Sequence, residues 1–212
     1  MYRCGRWPQA WTQPVIAIKN QILFEDPNLL VLDKPPGLLS QSDVSGDQSL
    51  VDYLRVYLGR HYVGLVHRLD RNTSGLMVIA KRSKAADRLS QQLKDGRLER
   101  RYLAWLEGVA GSPGQSQKLQ NWLIKNEDTN QVRVLPLAPQ KPSPEAKRAE
   151  LTVSVLKLAQ HEGHPITLAE FELETGRSHQ IRAQMAYAGF PLVGDSKYGS
   201  KIQFERPALH SH

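Results

Sequence analysis

The chain has 212 residues, which is enough for one domain, or at most two small ones, with a full hydrophobic core. Its apolar runs are far shorter than the roughly 20 residues of a membrane-spanning helix, and its first twenty residues lack the continuous apolar stretch of a secretory signal. The single cysteine, Cys4, excludes an internal disulfide and indicates the reducing cytoplasm, and the formal net charge of +7 favours a polyanionic partner.

The first predicted elements are a hairpin and a helix. The runs ILFE and LLVLD predict two strands joined by a turn at residues 26–28, and the prolines of KPPG end the second strand because proline cannot donate to a ladder. Ser49 is a typical N-cap, and apolar residues recur after it at helical spacing until Gly59. This pattern predicts a helix over residues 50–58.

The next stretch, HRLDRNTSGLMVIA, places one carboxylate, Asp70, between two arginines in front of an apolar strand. Flanking arginines favour the ionised form of a carboxylate, which suits a nucleophile or a base better than an acid. Thr73 and Ser74 could bind this carboxylate or cap the turn, where Gly75 permits a positive φ. A structural arginine–aspartate pair at a solvated turn is the alternative.

A second helix is predicted from its N-cap Ser83 to about Lys94, closed by Gly96. Its inward-facing residues should be Ala86, Leu89 and Leu93. Between Lys81 and Arg101, eight basic residues outnumber three acidic ones, which gives a net charge of +5 over this stretch. Such a concentrated basic surface predicts contact with nucleic acid, and the alternative is a solvated helix face rich in lysine.

The second half of the chain is predicted to be mostly strands. YLAWLEG predicts a buried strand, NWLI and QVRVL a peripheral hairpin, and AELTVSVLKL and ITLAEFELE two antiparallel strands with an irregularity near Ala169. Ser178 is the expected N-cap of a third helix that ends at Gly189 and Pro191. The residues of this helix expected to face inward are Ile181, Met185 and Ala188. Alternating strands with few helices between them predict an α+β fold with a mixed, mostly antiparallel sheet and flanking helices.

The stretch LETGRSHQIRAQ brings two arginines, Arg177 and Arg182, to the start of the third helix. They could bind a phosphate or hold a carboxylate bidentately, and the alternative is a capped helix with exposed arginines. The stretch HEGH spaces its two histidines without the pattern of a zinc helix, and the chain has no phosphate-binding glycine loop. We therefore expect neither a metal nor a nucleotide cofactor.

Five stretches together resemble the RluA-type pseudouridine synthases: ILFEDPNLLVLDKPPGLLSQ, HRLDRNTSGLMVIAK, RRYLAWLEG, AKRAELTVSVL and LETGRSHQIRAQMAYAGFPLVGDSKYG. The resemblance extends over residues 21–210 and is most specific in the second and fifth stretches. It implies isomerisation of uridine to pseudouridine within tRNA or rRNA, without a cofactor, by a pseudouridine synthase fold with a central active-site cleft. It places the catalytic domain at 21–212, after an N-terminal extension of residues 1–20 that is too short for the S4-type RNA-binding domain of many relatives. We expect a cytoplasmic monomer that binds RNA and no membrane.

The resemblance also implies roles for individual residues. Asp70 corresponds to the essential aspartate, Tyr102 to the tyrosine that stacks on the target base, and Arg182 to the arginine that pairs with the aspartate. Arg68 corresponds to the arginine that enters the RNA where the base is extruded. The other residues matched to substrate binding are Thr73, Arg177, His179 and Gln180.

Two other functions fit parts of the sequence. A nucleoside or glycoside hydrolase would need a second carboxylate as its acid, for which Glu174 and Asp195 are the candidates, although Asp195 is more simply a turn residue. An RNA-binding module without activity should lack one of the three catalytic candidates, and all three are present.

The last stretch, RPALHSH, resembles a segment after which relatives continue into one more strand and a short tail. If a strand is missing there, the sheet ends in an unpaired edge. We therefore expect the C-terminal residues of a shortened chain to be poorly ordered, or to pair with another molecule.

Overall fold

The computed structural model describes residues 18–138 and 140–212, and the chain divides after Lys94 into two compact units. Most of the expected N-terminal extension, including Cys4, lies outside the described residues. Each unit combines antiparallel strands with helices, which confirms the predicted α+β class. No helix in residues 18–138 or 140–212 is both long and apolar enough to cross a membrane.

The first unit contains a small antiparallel sheet in which β4 lies between β2 and β3, and β1 pairs with β2. Its strands are β1 (Ile22–Glu25), β2 (Leu29–Lys34), β3 (Gly64–Leu65) and β4 (Ser74–Ala80). The β2–β4 register runs from Leu29 opposite Ala80 to Lys34 opposite Gly75. Because side chains alternate along a strand, every second residue of β2 faces the core, and Leu30, Leu32 and Lys34 are all fully buried.

Helix α1 (Leu50–Leu58) has the predicted limits. Ser49 and Asp52 form a reciprocal capping box at its start, and Gly59 ends it in the left-handed conformation with φ 60°. An N-cap of this kind typically stabilises a helix by about 1 kcal/mol.

Helix α2 (Ser83–Lys94) begins at Ser83, so this serine lies within the helix and is not the N-cap that was predicted. The helix lies against β3 and β4, but none of its residues is fully buried. The three positions expected to face inward, Ala86, Leu89 and Leu93, are only half-buried. This helix is a surface element.

The second unit is a six-stranded antiparallel sheet in the order β10-β5-β9-β8-β6-β7. Its strands are β5 (Arg101–Glu107), β6 (Ser116–Asn126), β7 (Gln131–Pro136), β8 (Lys147–His161), β9 (His164–Leu173) and β10 (Leu209–Ser211). Of the hairpin predicted to be peripheral, only β7 lies at the edge of the sheet. β6 is much longer than NWLI and pairs with both β7 and β8. The irregularity expected near Ala169 is confirmed, since the β8 register shifts between Val155 and Lys157 opposite Ala169.

Helix α3 (Gln180–Tyr187) begins differently from the prediction. Its N-cap is His179 in the left-handed conformation, with φ 51° and no side-chain cap, so the expected capping by Ser178 is wrong. Ile181 and Met185 are buried as predicted, whereas Ala188 is the C-cap and is exposed. The helix packs through its buried Ala183 on a cluster formed by Leu123, Val132 and Ala149 of strands β6, β7 and β8.

The C-terminal residues form a strand of the second sheet. Leu209, His210 and Ser211 pair with Ala104, Leu103 and Tyr102 of β5. Leu209 and Ser211 are buried, and the His212 N–H donates to the carbonyl of Arg101 at 3.0 Å. The expectation that these residues are poorly ordered or pair with another molecule is therefore wrong.

Candidate active site

The backbone on both sides of Asp70 is held by buried polar side chains. The Ser40 hydroxyl donates to the carbonyl of Leu69 at 2.6 Å and accepts from the Leu69 N–H at 3.1 Å. On the other side, the Lys34 ammonium donates to the carbonyl of Arg71 at 3.1 Å. Asp70 thus lies between two residues whose backbone positions are fixed, at the entrance to strand β4.

Lys34 occupies an unusual environment for a lysine. It is fully buried, and its ammonium also donates to the carbonyls of Pro35 and Leu38 at 2.9 and 2.8 Å. Burial lowers the pKa of Lys34 from 10.5 to about 8, and the negative charges of Asp70 and Asp33 oppose that change. The Lys34 ammonium thus places a positive charge near the carboxylates of Asp70 and Asp33.

Of the two arginines next to Asp70, Arg71 has other partners and Arg68 is exposed. Arg71 donates to the carboxylate of Asp47 at 2.7 Å and to the hydroxyl of Ser45 at 3.2 Å. Arg68 is exposed, as a residue that enters RNA would have to be. Lys34, rather than either arginine, is therefore the fully buried cation beside the loop that carries Asp70.

Thr73 completes the turn. Its backbone N–H donates to the carbonyl of Asp70 at 3.1 Å, and its side chain is buried. Gly75, the second residue of β4, has a φ of 117°, a conformation that favours glycine. These features shape the loop that carries Asp70.

In the second unit, Tyr102 lies at the start of β5 and is buried at 6% exposure. It pairs with Phe171 of β9 on one side and with Ser211 of β10 on the other. An aromatic ring held by a strand that is paired on both sides has a well-defined position, as a stacking surface for a base requires.

Arg182 of α3 is buried and makes a bidentate ion pair with Asp195. Its Nε and Nη2 atoms lie 2.6 and 2.8 Å from the two carboxylate oxygens. The guanidinium also lies 5.1 Å from the ring centroid of Tyr198. Arg182 thus holds the Asp195 carboxylate bidentately, so Asp195 is more than a turn residue. The pairing of Arg182 with Asp70 that the resemblance implies stays a prediction.

Tyr198 connects Arg182 to His179. Its hydroxyl accepts from the Val132 N–H at 2.9 Å and lies 2.9 Å from Nδ1 of His179. Because the hydroxyl already accepts from a backbone donor, it can donate its own proton to Nδ1. His179 is buried, so this network fixes the ring of Tyr198 beneath the guanidinium.

Gln180 closes the turn before α3. Its Oε1 accepts from the Thr175 hydroxyl at 2.8 Å and from the Arg177 N–H at 3.0 Å, and its Nε2 donates to the carbonyl of Glu150 at 3.0 Å. The side chain is buried at 3% exposure. These contacts give Gln180 a part in holding Arg177, which is itself exposed.

The basic stretch contributes fewer available charges than its composition suggests. In the first unit, Lys81 is buried and paired with Glu25 at 2.5 Å. In the second, Arg97 and Arg101 are paired with acidic neighbours at 2.8 Å each. The exposed cations on and beside α2 are Arg82, Lys84, Arg88 and Lys94.

Sequence reasoning missed Lys34, Ser40 and the role of Asp195. Lys34 carried a usable signal, because it continues the buried alternation of Leu30 and Leu32. A charged residue at a core position of a strand typically has a structural or electrostatic role. Ser40 and Asp195 lie in irregular segments without such a period.

Comparison with known proteins identifies a family match over most of the chain. The family model described as RNA pseudouridylate synthase matches residues 28–187. The chain is 35% identical over 188 residues to the ribosomal large subunit pseudouridine synthase C of Haemophilus influenzae, covering 88% of this chain and 55% of that protein. It is 34% identical over 196 residues to the protein of the same name from Escherichia coli, covering 92% of this chain and 57% of that protein. The chain thus spans a little over half the length of these relatives.

Solved structures show the same fold. Human RNA pseudouridylate synthase domain containing protein 1 superimposes with a TM-score of 0.73 at 23% identity, over 90% of this chain and 76% of that one. Human RNA pseudouridylate synthase domain containing protein 4 also gives a TM-score of 0.73, at 21% identity, over 93% of this chain and 84% of that one.

Proposed function

Because the chain belongs to the RNA pseudouridylate synthase family, we propose that it isomerises uridine to pseudouridine within RNA. The observation that carries this proposal is the position of Asp70, a carboxylate whose two neighbours, Leu69 and Arg71, are held by Ser40 and Lys34. A rigid support of this kind suits a reacting group, because a misplacement of about 1 Å can cost about a hundredfold in rate.

The reaction exchanges one glycosidic bond for another. The C1′–N1 bond breaks, the uracil turns over, and a C1′–C5 bond forms, while N1 gains a proton and C5 loses one. Substrate and product are isomers, so the chemistry is redox-neutral and needs no second substrate. An ionised carboxylate can start the reaction by attacking C1′ or by removing the C2′ proton.

We assign one role to each proposed catalytic residue. Asp70 supplies the carboxylate, Tyr102 stacks on the uracil, and Arg182 supplies a buried guanidinium whose orientation is set by Asp195. Arg68 is exposed and would occupy the gap that the extruded uridine leaves in the RNA. In this proposal residues 21–212 act as the catalytic domain of a cytoplasmic, monomeric enzyme.

Large-subunit rRNA is the substrate that we propose first. The relatives from Haemophilus influenzae and Escherichia coli are named for the ribosomal large subunit. The exposed cations of α2 suit phosphate contacts, which position an RNA without reading its sequence. Transfer RNA is the substrate class to test next.

A hydrolase would need a second carboxylate as its acid, and both candidates are engaged. Glu174 is exposed and lies 2.6 Å from the ammonium of Lys118. Both carboxylate oxygens of Asp195 accept from Arg182. Both candidate acids are thus already bound by cations of the protein, which favours the isomerase.

The substitution Asp70→Asn tests the proposed function. It should lower pseudouridine formation by at least about a thousandfold, because a neutral amide can neither attack C1′ nor take up a proton. Tritium release from large-subunit rRNA transcribed with C5-labelled uridine measures this rate, and gel-shift titration measures binding, which should stay within about twofold of the parent's.

The matched control is Asp87→Asn, which makes the same chemical change at an exposed position on α2 and should leave the rate unchanged. Near-parental turnover by the Asp70 variant would refute the assignment. Release of free uracil by the parent protein would indicate a hydrolase instead.

A further inference from the structure

Two arginines of the second unit lie close together beside the turn that precedes α3. Nη2 of Arg100 donates to the carbonyls of Leu173 and Glu174, at 3.2 Å each. Nε of Arg177 donates to the carbonyl of Arg148 at 3.0 Å. Within residues 18–138 and 140–212, neither Arg100 nor Arg177 makes an ion pair with a carboxylate. Backbone carbonyls hold both guanidinium groups in place.

The acidic residues around this turn have other partners. Glu174 lies 2.6 Å from the ammonium of Lys118, and Glu150 lies 3.3 Å from the same ammonium and 2.6 Å from the guanidinium of Arg148. Among the described residues, neither of these carboxylates nor any other forms an ion pair with Arg100.

The electrostatic environment of Arg100 is unfavourable for a cation. Burial lowers the pKa of Arg100, and the positive charge of Arg177 acts in the same direction, although Tyr102 opposes it. Nε of Arg100 is buried and has no hydrogen-bond partner in the described part of the protein. Burying a cation beside a second cation destabilises a fold unless an anion compensates for it.

The pair also lies next to the proposed base-stacking residue. Arg100 lies immediately before β5 and two positions before Tyr102, and Arg101 between them is exposed. Residues two apart in an extended chain project to the same side. The pKa of Arg100 is raised by Tyr102, which agrees with this arrangement.

We propose that Arg100 and Arg177 together bind one phosphodiester group of the RNA, beside the uridine that stacks on Tyr102. The inference rests on the proposed function and adds to it a backbone-binding subsite. Two guanidinium groups offer several N–H donors to one phosphate, the geometry in which arginine binds phosphate best. The bound phosphate would supply a counter-ion for Arg100 that the described residues around it do not provide.

Gly176 provides a way to disturb the site without removing a charge. A Cβ atom at this position would overlap Nη1 of Arg100, against which the glycine packs. The φ of Gly176 is outside the left-handed region, so alanine fits the backbone. The substitution Gly176→Ala should therefore displace the Arg100 guanidinium while leaving the net charge unchanged.

The test is the salt dependence of RNA binding. All variants are made in the full chain with Asp70→Asn, so that the RNA is not converted during the titration. The affinity for transcribed large-subunit rRNA is measured over a series of KCl concentrations. Loss of one phosphate contact should reduce the slope of log K against log salt concentration by about 0.7 to 0.9. We expect this reduction for Arg100→Met, for Arg177→Met and for Gly176→Ala.

The double variant decides whether the arginines share one phosphate. If they do, Arg100→Met with Arg177→Met should reduce the slope by the amount expected for one phosphate, as each single variant does. The matched control is Arg101→Met, because Arg101 is exposed and paired with Glu99 at 2.8 Å, and its slope should equal the parent's.

Each outcome bears on the subsite. A parental slope in folded Arg100→Met or in Gly176→Ala would overturn it, and so would a double variant whose slope falls by the amount expected for two phosphates. If Arg100→Met does not fold, Gly176→Ala decides alone. Absence of pseudouridine formation by the unmodified chain, with the slopes as expected, would count against the proposed function and leave the phosphate subsite standing.

Discussion

The position of Arg182 depends on Asp195, thirteen residues further along the chain. Their bidentate contacts at 2.6 and 2.8 Å and the burial of both side chains make this a fixed pair. Removing one partner of a buried ion pair typically costs about 3–5 kcal/mol, since the other charge is left uncompensated. Asp195 is in our interpretation a positioning residue.

We predict that Asp195→Asn lowers kcat per folded molecule at least about tenfold, with a smaller effect on RNA affinity. The amide keeps the shape but loses the charge and one of the two acceptors that orient Arg182. Single-turnover pseudouridine formation measures the rate, and circular dichroism gives the folded fraction. Asp128→Asn, at an exposed turn, is the control. A parental kcat with reduced thermal stability would give Asp195 a purely structural role.

At the level of residues, the sequence revealed the reacting groups better than their supports. Asp70 and Tyr102 occur in specific motifs, whereas the partner of Arg182 is set by the backbone between α3 and the short 3-10 helix at Ser196–Tyr198. No local pattern encodes such a pairing. Lys34 is the exception, because the alternation along β2 places it on the buried face.

The elements that were predicted correctly have local causes. The limits of α1 follow from the cap at Ser49 and the glycine at position 59. The strand β10 was missed because three residues carry no periodicity, and it forms by pairing with β5, about a hundred residues earlier in the chain. The start of α3 was misplaced because His179 adopts a left-handed conformation that non-glycine residues rarely adopt.

Helix α2 is the element whose exposed cations should contribute most to RNA binding in the first unit. We predict that the triple variant Lys84→Gln, Arg88→Gln and Lys94→Gln weakens RNA binding and reduces the salt slope by up to about 2.7, while kcat at saturating RNA stays unchanged. Phosphate contacts on a surface helix position the RNA and take no part in the chemistry. Filter binding over a KCl series, with pseudouridine formation at saturating RNA, measures both effects.

The control for this helix is the variant Lys141→Gln, Lys157→Gln and Lys201→Gln, which removes three exposed charges from the second unit. Equal changes of slope in the two triple variants would show that RNA responds only to the net charge of the protein. In that case α2 would be an ordinary solvated helix.

At the scale of the whole molecule, Lys34 makes the free energy of unfolding depend on pH. Its pKa is lowered from 10.5 to about 8 in the folded chain, chiefly by burial. Below about pH 8 both the folded and the unfolded chain carry this proton, and keeping the buried charge costs roughly 3 kcal/mol. Between about pH 8 and about pH 10.5, the folded chain has released the proton that the unfolded chain still binds.

The free energy of unfolding should therefore rise with pH in this window, by roughly 2 kcal/mol from about pH 7.5 to about pH 9.5. Urea unfolding of the parent and of Lys34→Met at several pH values measures the difference, which cancels the titration of other groups. Lys84→Met, at an exposed position on α2, should keep the parental pH dependence. Parallel curves for the parent and Lys34→Met would show that Lys34 keeps an ordinary pKa. A rise confined to chains with Lys34 would show that the ammonium that holds the Asp70 loop remains charged at neutral pH despite its burial. Part of the cost of burying this charge is offset by the three carbonyls to which the ammonium donates and by the nearby carboxylates.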